Sequence, residues 1–418
     1  MRIGVVGAGG AGLVASWLLQ DEHEVEVFEA ADRPGGHLDT TTVEADGGPV
    51  EVELGAQFFF REGYSGLHAL LARLGRTPTP IRLGLSVTPR DGGAPFVLPP
   101  LDLAAARSIA SPTVLRRLYW FLRFGWGGED VVREADWSVS VQALVDRIHA
   151  PRAIADGFLI PFVASSWGVP MDAAREMSAY SVTRVMGVRP TRLPHSHRVP
   201  GGLGGYAHAL VADAPRIKLH LNTPVHGLRP APQGGLELDV GERRARFDAV
   251  ILACDWRASA AACRDAPALA PWHQAFAAFE DYDATVVVHR DSSVMPADRR
   301  LWHSANHDHR GDAMPRNTVW AGQPSGADVF RTWLRPDESP PRDTIEVRRF
   351  KHILMVPQHR ARQEAVARLQ GTSGLWAVGM YTDGIDNHES AIRSAAQVAR
   401  SIAPEAQRVR WLAERVSR

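Results

Sequence analysis

Four glycines fall within six residues at Gly7-Ala8-Gly9-Gly10-Ala11-Gly12, between the apolar run Ile3–Val6 and the breaker-free stretch Leu13–Gln20. That order predicts strand, tight turn and helix. Gly7 permits the turn, Gly9 lets a ligand approach the backbone, and Gly12 lets the helix pack close to the strand. The free N–H groups of the first helical turn, Ala11 among them, would then face a pyrophosphate. A second strand, Glu24–Phe28, ends at Glu29 and Ala30, about 20 residues beyond the turn, where a carboxylate is expected to accept ribose hydroxyls. An acid there argues against a 2′-phosphate.

The residues that follow decide which dinucleotide is meant. A second diglycine turn, Arg33-Pro34-Gly35-Gly36-His37, lies just past the acid, and Val52-Glu53-Leu54 then runs into Gly55-Ala56-Gln57-Phe58. A short nicotinamide site has no use for further close backbone approaches, whereas a longer cofactor lying extended across the domain does. The extra glycines point to FAD. In these motifs the chain resembles the flavin-containing amine oxidase superfamily, and within it bacterial FAD/NAD(P)-binding oxidoreductases with a Gly-Gly-His turn. The far end agrees: Leu375–Gly379, then Met380-Tyr381-Thr382-Asp383, then His388-Glu389-Ser390-Ala391.

The resemblance implies noncovalent FAD and a backbone contact to adenine at Val225. It implies flavin or ribitol contacts at Ala253, Gly379 and Met380, and amides of the last helix, at Glu389, Ser390 and Ala391, aimed at the flavin pyrimidine. Relatives are often encoded beside cyclopropane-fatty-acid synthases, which implies lipid-like substrates. The chain also departs from the superfamily. Its lysine near flavin N5 has no counterpart in Cys254–Ala266, Asn387 stands where the aromatic cage has tyrosine, and Ala31 and Met380 replace an arginine and an acid. These departures count against ordinary amine oxidation. Asp383 or Asp386 is left to contact the ribitol, and Tyr381 and His388 are the candidates for proton handling.

The expected fold class is α/β: a Rossmann-type FAD-binding domain of glutathione-reductase-like, amine oxidase topology, with a discontinuous α+β substrate domain. The first would comprise residues 1–80, 196–280 and 356–418, and the second 81–195 and 281–355 with a helical lobe. Helices are expected over Leu101–Arg123 and Val141–Pro161, continued by Phe162–Gly168. Strands at Asp283–His289, Arg348–Met355 and Leu83–Val87 would make an antiparallel sheet. Ile217–Leu221 and Pro224–Leu228 read as a strand pair, Leu236–Val240 and Arg244–Phe247 continue the meander, and Asp248–Ala253 returns to the nucleotide sheet. Arg90–Pro100 and Pro336–Pro341 read as surface loops. Trp302–His309 also reads as a polar loop: its three histidines match no zinc spacing, so no metal is expected, although His303 could face the pocket.

Forty-seven basic residues balance 47 acidic ones, which removes the basic footprint of a nucleic-acid binder and favours a small-molecule partner. Only Lys218 and Lys351 are lysines, so nearly every cation is a guanidinium that cannot serve as a base. Two cysteines, Cys254 and Cys263, fit a reducing compartment, with Cys254 read as packing rather than a flavin attachment. With neither an export signal nor an integral membrane segment apparent, a cytoplasmic location is the expectation. The function expected is an FAD-dependent oxidase or dehydrogenase that removes hydride from a C–H bond of a small, largely apolar substrate and passes electrons to an acceptor the sequence does not name. A redox-neutral double-bond isomerase and a non-catalytic dinucleotide-binding scaffold are the alternatives.

Overall fold

The computed structural model describes residues 1–416 apart from 82, 92, 94, 99–110, 187–195, 242, 311–313 and 337. Five short strands form a parallel sheet in the order Lys218–His220, Glu24–Phe28, Arg2–Val6, Ala249–Leu252, Leu375–Ala377. Both faces of such a sheet must be covered, which explains the unbroken apolar runs. Ile3, Val5, Val25, Val27 and Ile251 pack against the helices Gly10–Leu19, Gly202–Ala212 and His388–Ile402. Val6, Phe28, Val250 and Leu252 pack against the meander Val225–Pro230, Leu236–Val240, Arg243–Phe247 and the helices Trp256–Cys263 and Ala270–Ala277. Lys218–His220 is thus the outer strand of the parallel sheet rather than the partner of Val225–Leu228. Its register beside Glu24–Phe28 is accompanied by an ion pair of 2.6 Å between Lys218 and Glu24.

A second sheet has seven strands, in the order Thr344–Ile353, Asp281–His289, Phe330–Leu334, Arg316–Trp320, Ala305–Asp308, Leu85–Thr88, Phe96–Leu98. All neighbours are antiparallel except Ala305–Asp308 with Leu85–Thr88. Two sequence expectations fail here. The middle of the histidine run, Ala305–Asp308, is a strand, and His303, His307 and His309 are all buried. Histidines at alternate positions carry the period of a strand but not its apolar composition, which is why the run reads as a loop. Within Arg90–Pro100, Phe96–Leu98 is an edge strand whose Phe96 and Val97 are buried. Three apolar residues among glycines and prolines are too few to show a period.

The helical lobe packs Pro112–Arg133, Val141–Arg147, Ile160–Trp167, Met171–Glu176 and Ala179–Met186 around Phe121, Phe158, Phe162 and Val163. The first helix was expected over Leu101–Arg123. Residues 101–110 lie outside the described residues, and the helix runs ten residues beyond Arg123, through three glycines. At Gly128 a Cβ would stand 2.3 Å from Thr183 Oγ1, so glycine there lets two helices approach closely instead of breaking one. A π-helical turn at Ala155–Leu159 feeds the helix Ile160–Trp167, which closes on Gly168 at a φ of 67°. No helix among the described residues is long and apolar enough to cross a membrane.

Candidate cofactor and substrate site

Three glycine segments and one helix end converge at the C-terminal edge of the parallel sheet. Gly7 has a φ of +104°, and a Cβ on it would stand 2.9 Å from the Ala253 backbone; on Gly12 it would stand 2.1 Å from the Gly7 carbonyl. Gly9 differs, because nothing lies within 4 Å of the direction its Cβ would take. The helix that follows has no side-chain cap, so its first N–H groups, including that of Ala11, are left to a ligand. Ala253 donates its N–H to the Val6 carbonyl at 2.8 Å and closes the far side of the turn.

The second turn is stitched to the first. Gly35 donates to the Ala8 carbonyl at 2.8 Å and pairs with Gly9 across an isolated bridge, and a Cβ on Gly36 would stand 3.2 Å from Gly9 Cα. The third segment follows: Ala56 donates to the His37 carbonyl at 2.8 Å, and a Cβ on Gly55 would stand 2.3 Å from the same oxygen. Phe58 ends this segment at a φ of 48°, a left-handed conformation that side chains seldom adopt and that tends to mark functional sites. His388 closes the cradle, its ring crowding the Cβ direction of Gly10.

Glu29 accepts from Ala8 N at 2.7 Å on one oxygen and from Ala31 N at 2.9 Å on the other. Each oxygen keeps a further lone pair, enough for the two hydroxyls of a ribose. Ala30 lies exposed beside it. Further along, Val225 opens the meander next to an open groove of about 460 Å³ lined by His220, Asn222, Thr223, Pro224, Val240, Gly241 and Arg243. Backbone-lined glycine turns, an uncapped helix start, an anchored acid and a groove beyond it fit an extended dinucleotide.

The far end of the cradle meets the seven-stranded sheet in a cluster of rings. His37 stacks on Phe350 at 4.9 Å and lies 5.4 Å from His352, which in turn neighbours Tyr282 and Trp333, both at 5.6 Å. Enclosure by the fold, and then His352, lower the pKa of the His37 imidazole to about 4, although the residue as a whole is exposed. The helical lobe reaches the same place: Tyr282 donates to the Trp167 carbonyl at 2.7 Å, and Gly168 packs on the Trp333 ring. Cradle, sheet and lobe share this junction.

The profile of the flavin containing amine oxidoreductase family matches residues 11–325. The chain belongs to this family. It is an FAD-dependent oxidoreductase. Carotenoid phi-ring synthase of Streptomyces griseus is 28% identical over 301 residues, a stretch spanning 63% of this chain and 58% of that protein. Among solved structures, a CLA-producing fatty acid isomerase from P. acnes has a TM-score of 0.68 at 15% identity, over 96% of this chain and 98% of its own. Cyclohexylamine oxidase from Brevibacterium oxydans has a TM-score of 0.64 at 18% identity, over 97% and 99%. At such identities the two structures establish the fold.

Within this family fold the last helix takes up its own first turn. Asn387, in the place of the cage tyrosine, caps it by accepting from Ser390 N at 2.8 Å, and it also hydrogen-bonds Tyr64. The Ser390 amide is therefore engaged and is not free for a flavin, contrary to the sequence expectation. The Glu389 side chain accepts from Gly66 N at 2.7 Å and Leu67 N at 3.0 Å, and so caps the helix Ser65–Arg73, whose own cap residue provides no side-chain bond. Glu389→Ala orphans two buried N–H groups and is expected to destabilise the fold by about 2–5 kcal/mol. Calorimetric melting checks this, with Glu389→Gln, which retains one acceptor, losing less. Ala391 is buried in the core beneath the last helix, and Met380 packs between the two cores that sandwich the parallel sheet. Gly379, at a φ of 151°, donates to Ser394 Oγ at 2.9 Å.

The two candidates for proton handling separate. Tyr381 is 2% exposed, walled by Trp256, Phe276 and Phe279, and its hydroxyl lies 3.4 Å from Ser259 Oγ. Burial pushes its pKa well up, so it packs the core behind the sheet and is not a group that exchanges protons with substrate. His388 stands over the glycine turn, 3.4 Å from the Tyr206 hydroxyl, and burial lowers its pKa to about 4. It is neutral at physiological pH and placed to hydrogen-bond rather than to titrate. Arg393 pairs with Asp383 at 2.8 Å, while Asp386 faces His352 at 3.7 Å. Among the described residues no three histidine, cysteine or carboxylate side chains gather as a metal site.

Sequence reasoning missed Arg331. It is 2% exposed, and its guanidinium donates to Gln57 Oε1 and to the Leu54 carbonyl, both at 3.0 Å. The signal was present: Val329, Arg331 and Trp333 share one side of the strand register, and an arginine between two large apolar residues on a buried face calls for an explanation.

Proposed function

We propose that the chain holds FAD noncovalently along the glycine cradle and uses it to remove hydride from a C–H bond of a small, largely apolar substrate admitted between the seven-stranded sheet and the helical lobe. We further infer that residues 1–80, 196–280 and 356–418 make the cofactor domain, and that 81–195 and 281–355 make the substrate domain. The separate sheets of the two sets support that division. The observation that carries the reading is the junction of His37, Phe350, His352, Tyr282 and Trp333, where cradle, sheet and lobe meet in aromatic side chains.

Bound there, FAD supplies the hydride acceptor. The chain's own contribution is orientation and exclusion of water. Gly9 admits the pyrophosphate, Glu29 fixes the ribose through its spare lone pairs, and the amides of His388 and Glu389 remain for the pyrimidine end. Trp333, Tyr282 and Trp167 wall the substrate side. No lysine stands at the family position, and His37 and His388, each lowered to about 4 by burial, are neutral at physiological pH. A substrate whose C–H bond is weakened by its own unsaturation suits this setting better than a protonated amine awaiting a base.

Both thiols support noncovalent binding: burial raises Cys254 and Cys263 to about 12, so neither is a thiolate ready to bond to the flavin ring. Anaerobic addition of unsaturated lipid-like compounds and of primary amines tests the proposal. Bleaching of the flavin bands by an unsaturated compound and not by the amines is expected. Bleaching by amines alone would overturn the substrate reading, and conversion of an unsaturated compound without net oxidation would establish the isomerase instead.

A further inference from the structure

Arg331 lies on the strand Phe330–Leu334 with its guanidinium carbon 4.2 Å from the centroid of the Trp333 ring. Two of its nitrogens donate to Gln57 and Leu54, and its Nε has no partner. A guanidinium remains charged in a protein, and a buried charge without a counter-ion is costly. Arg331 enters no ion pair among the described residues. Glu53 is the carboxyl whose charge acts on it, but Glu53 accepts from Leu203 N at 2.9 Å and Thr40 Oγ1 at 2.7 Å, and burial raises its pKa to about 7. The direct contacts are two neutral acceptors and a ring face, so the charge is compensated only in part, through Glu53.

The surroundings repeat the pattern. Val319 is the cross-strand partner of Arg331, so Asn317, two residues before Val319, shares its side of the sheet. Asn317 is 7% exposed and its Oδ1 has no partner. His307, opposite Asn317, lies 2.7 Å from Ser165 Oγ on the helical lobe. Unpartnered polar atoms thus sit on the sheet face toward the lobe, and Gln57 links them to the cradle.

We infer that Arg331, assisted by Asn317, is a subsite for the carboxylate of a monocarboxylic acid substrate with an apolar body. One guanidinium matches a single negative charge, and a phosphate monoester would bury a second. The free Nε offers a donor, and the Asn317 amide, which presents N–H or C=O according to its rotation, offers a second polar contact. This inference rests on the proposed substrate reading and makes it specific: the acid end is held at the sheet while the chain extends along the lobe.

Calorimetric titration of the FAD-loaded protein with decanoate and with decanol tests it. Decanoate is expected to bind about ten-fold or more tighter than decanol, with the preference lost in Arg331→Met and partly kept in Arg331→Lys. Decanoate binding no better than decanol, or a preference that survives Arg331→Met, overturns the inference. Should Arg331→Met fail to fold, the comparison of acid with alcohol in the unmodified protein still decides. Protein that carries no flavin bands before titration contradicts the cofactor reading instead, so the two failures are told apart.

Discussion

Gly9→Val is expected to yield a folded protein that no longer retains FAD. Its backbone already has a φ of −70° and a ψ of 177°, which valine adopts readily, and nothing lies within 4 Å of the direction the new side chain would take. The branched carbons would occupy the space a pyrophosphate requires, so FAD affinity should fall by about 100-fold or more, in line with a lost charge-assisted anion site. Gly12→Val makes the contrast. There a Cβ meets the Gly7 carbonyl at 2.1 Å, so the damage falls on the fold itself and melting of the FAD-free protein should drop. Equilibrium dialysis against FAD, with calorimetry of both variants, separates ligand exclusion from misfolding. A Gly9→Val protein that binds FAD normally would place the cofactor elsewhere.

The second large effect is acid lability. His289, His303, His307, His309 and His359 are each at most 5% exposed, and burial lowers every one: about 4 for His289 and His303, about 3 for His307 and His359, and well below the usual value for His309. Between those values and 6.5 the unfolded chain binds protons that the folded chain does not. Stability therefore rises with pH through that window and is lost as pH falls below about 6.5, by up to about 1.4 kcal/mol per unit for each histidine. Glu53 acts in the opposite sense, since its raised pKa means the folded chain holds the extra proton between 4.5 and about 7. One carboxyl opposes five imidazoles, and the imidazoles prevail. The Tm is expected to fall steeply from pH 7.5 to pH 5, and a Tm constant over that range would contradict the neutral, buried state of these five histidines.

The parts of the fold legible in the sequence are those where one residue type alone satisfies the geometry. Gly7, Gly12, Gly35 and Gly55 each stand where a Cβ would strike backbone, and Ile3–Val6 and Ala249–Leu252 are apolar because a parallel sheet is covered on both sides. The remainder depends on partners distant in sequence. Glu389 caps a helix more than 300 residues away, and Asn387 reads as a lost cage residue until its bond to Ser390 N is seen. Tyr381 lies in the right segment, but its side chain turns behind the sheet toward Trp256. His289, His307 and Arg331 are polar residues in buried strand registers, which apolar periodicity does not detect. Such residues are where the chemistry is expected to lie.

The most direct measurement is an absorbance spectrum of the purified protein, repeated on the supernatant after acid precipitation. Flavin bands on the protein and their full release into the supernatant, identified as FAD by chromatography, are expected. A colourless protein that takes up no FAD on reconstitution, or flavin that stays with the precipitate, would contradict noncovalent FAD binding.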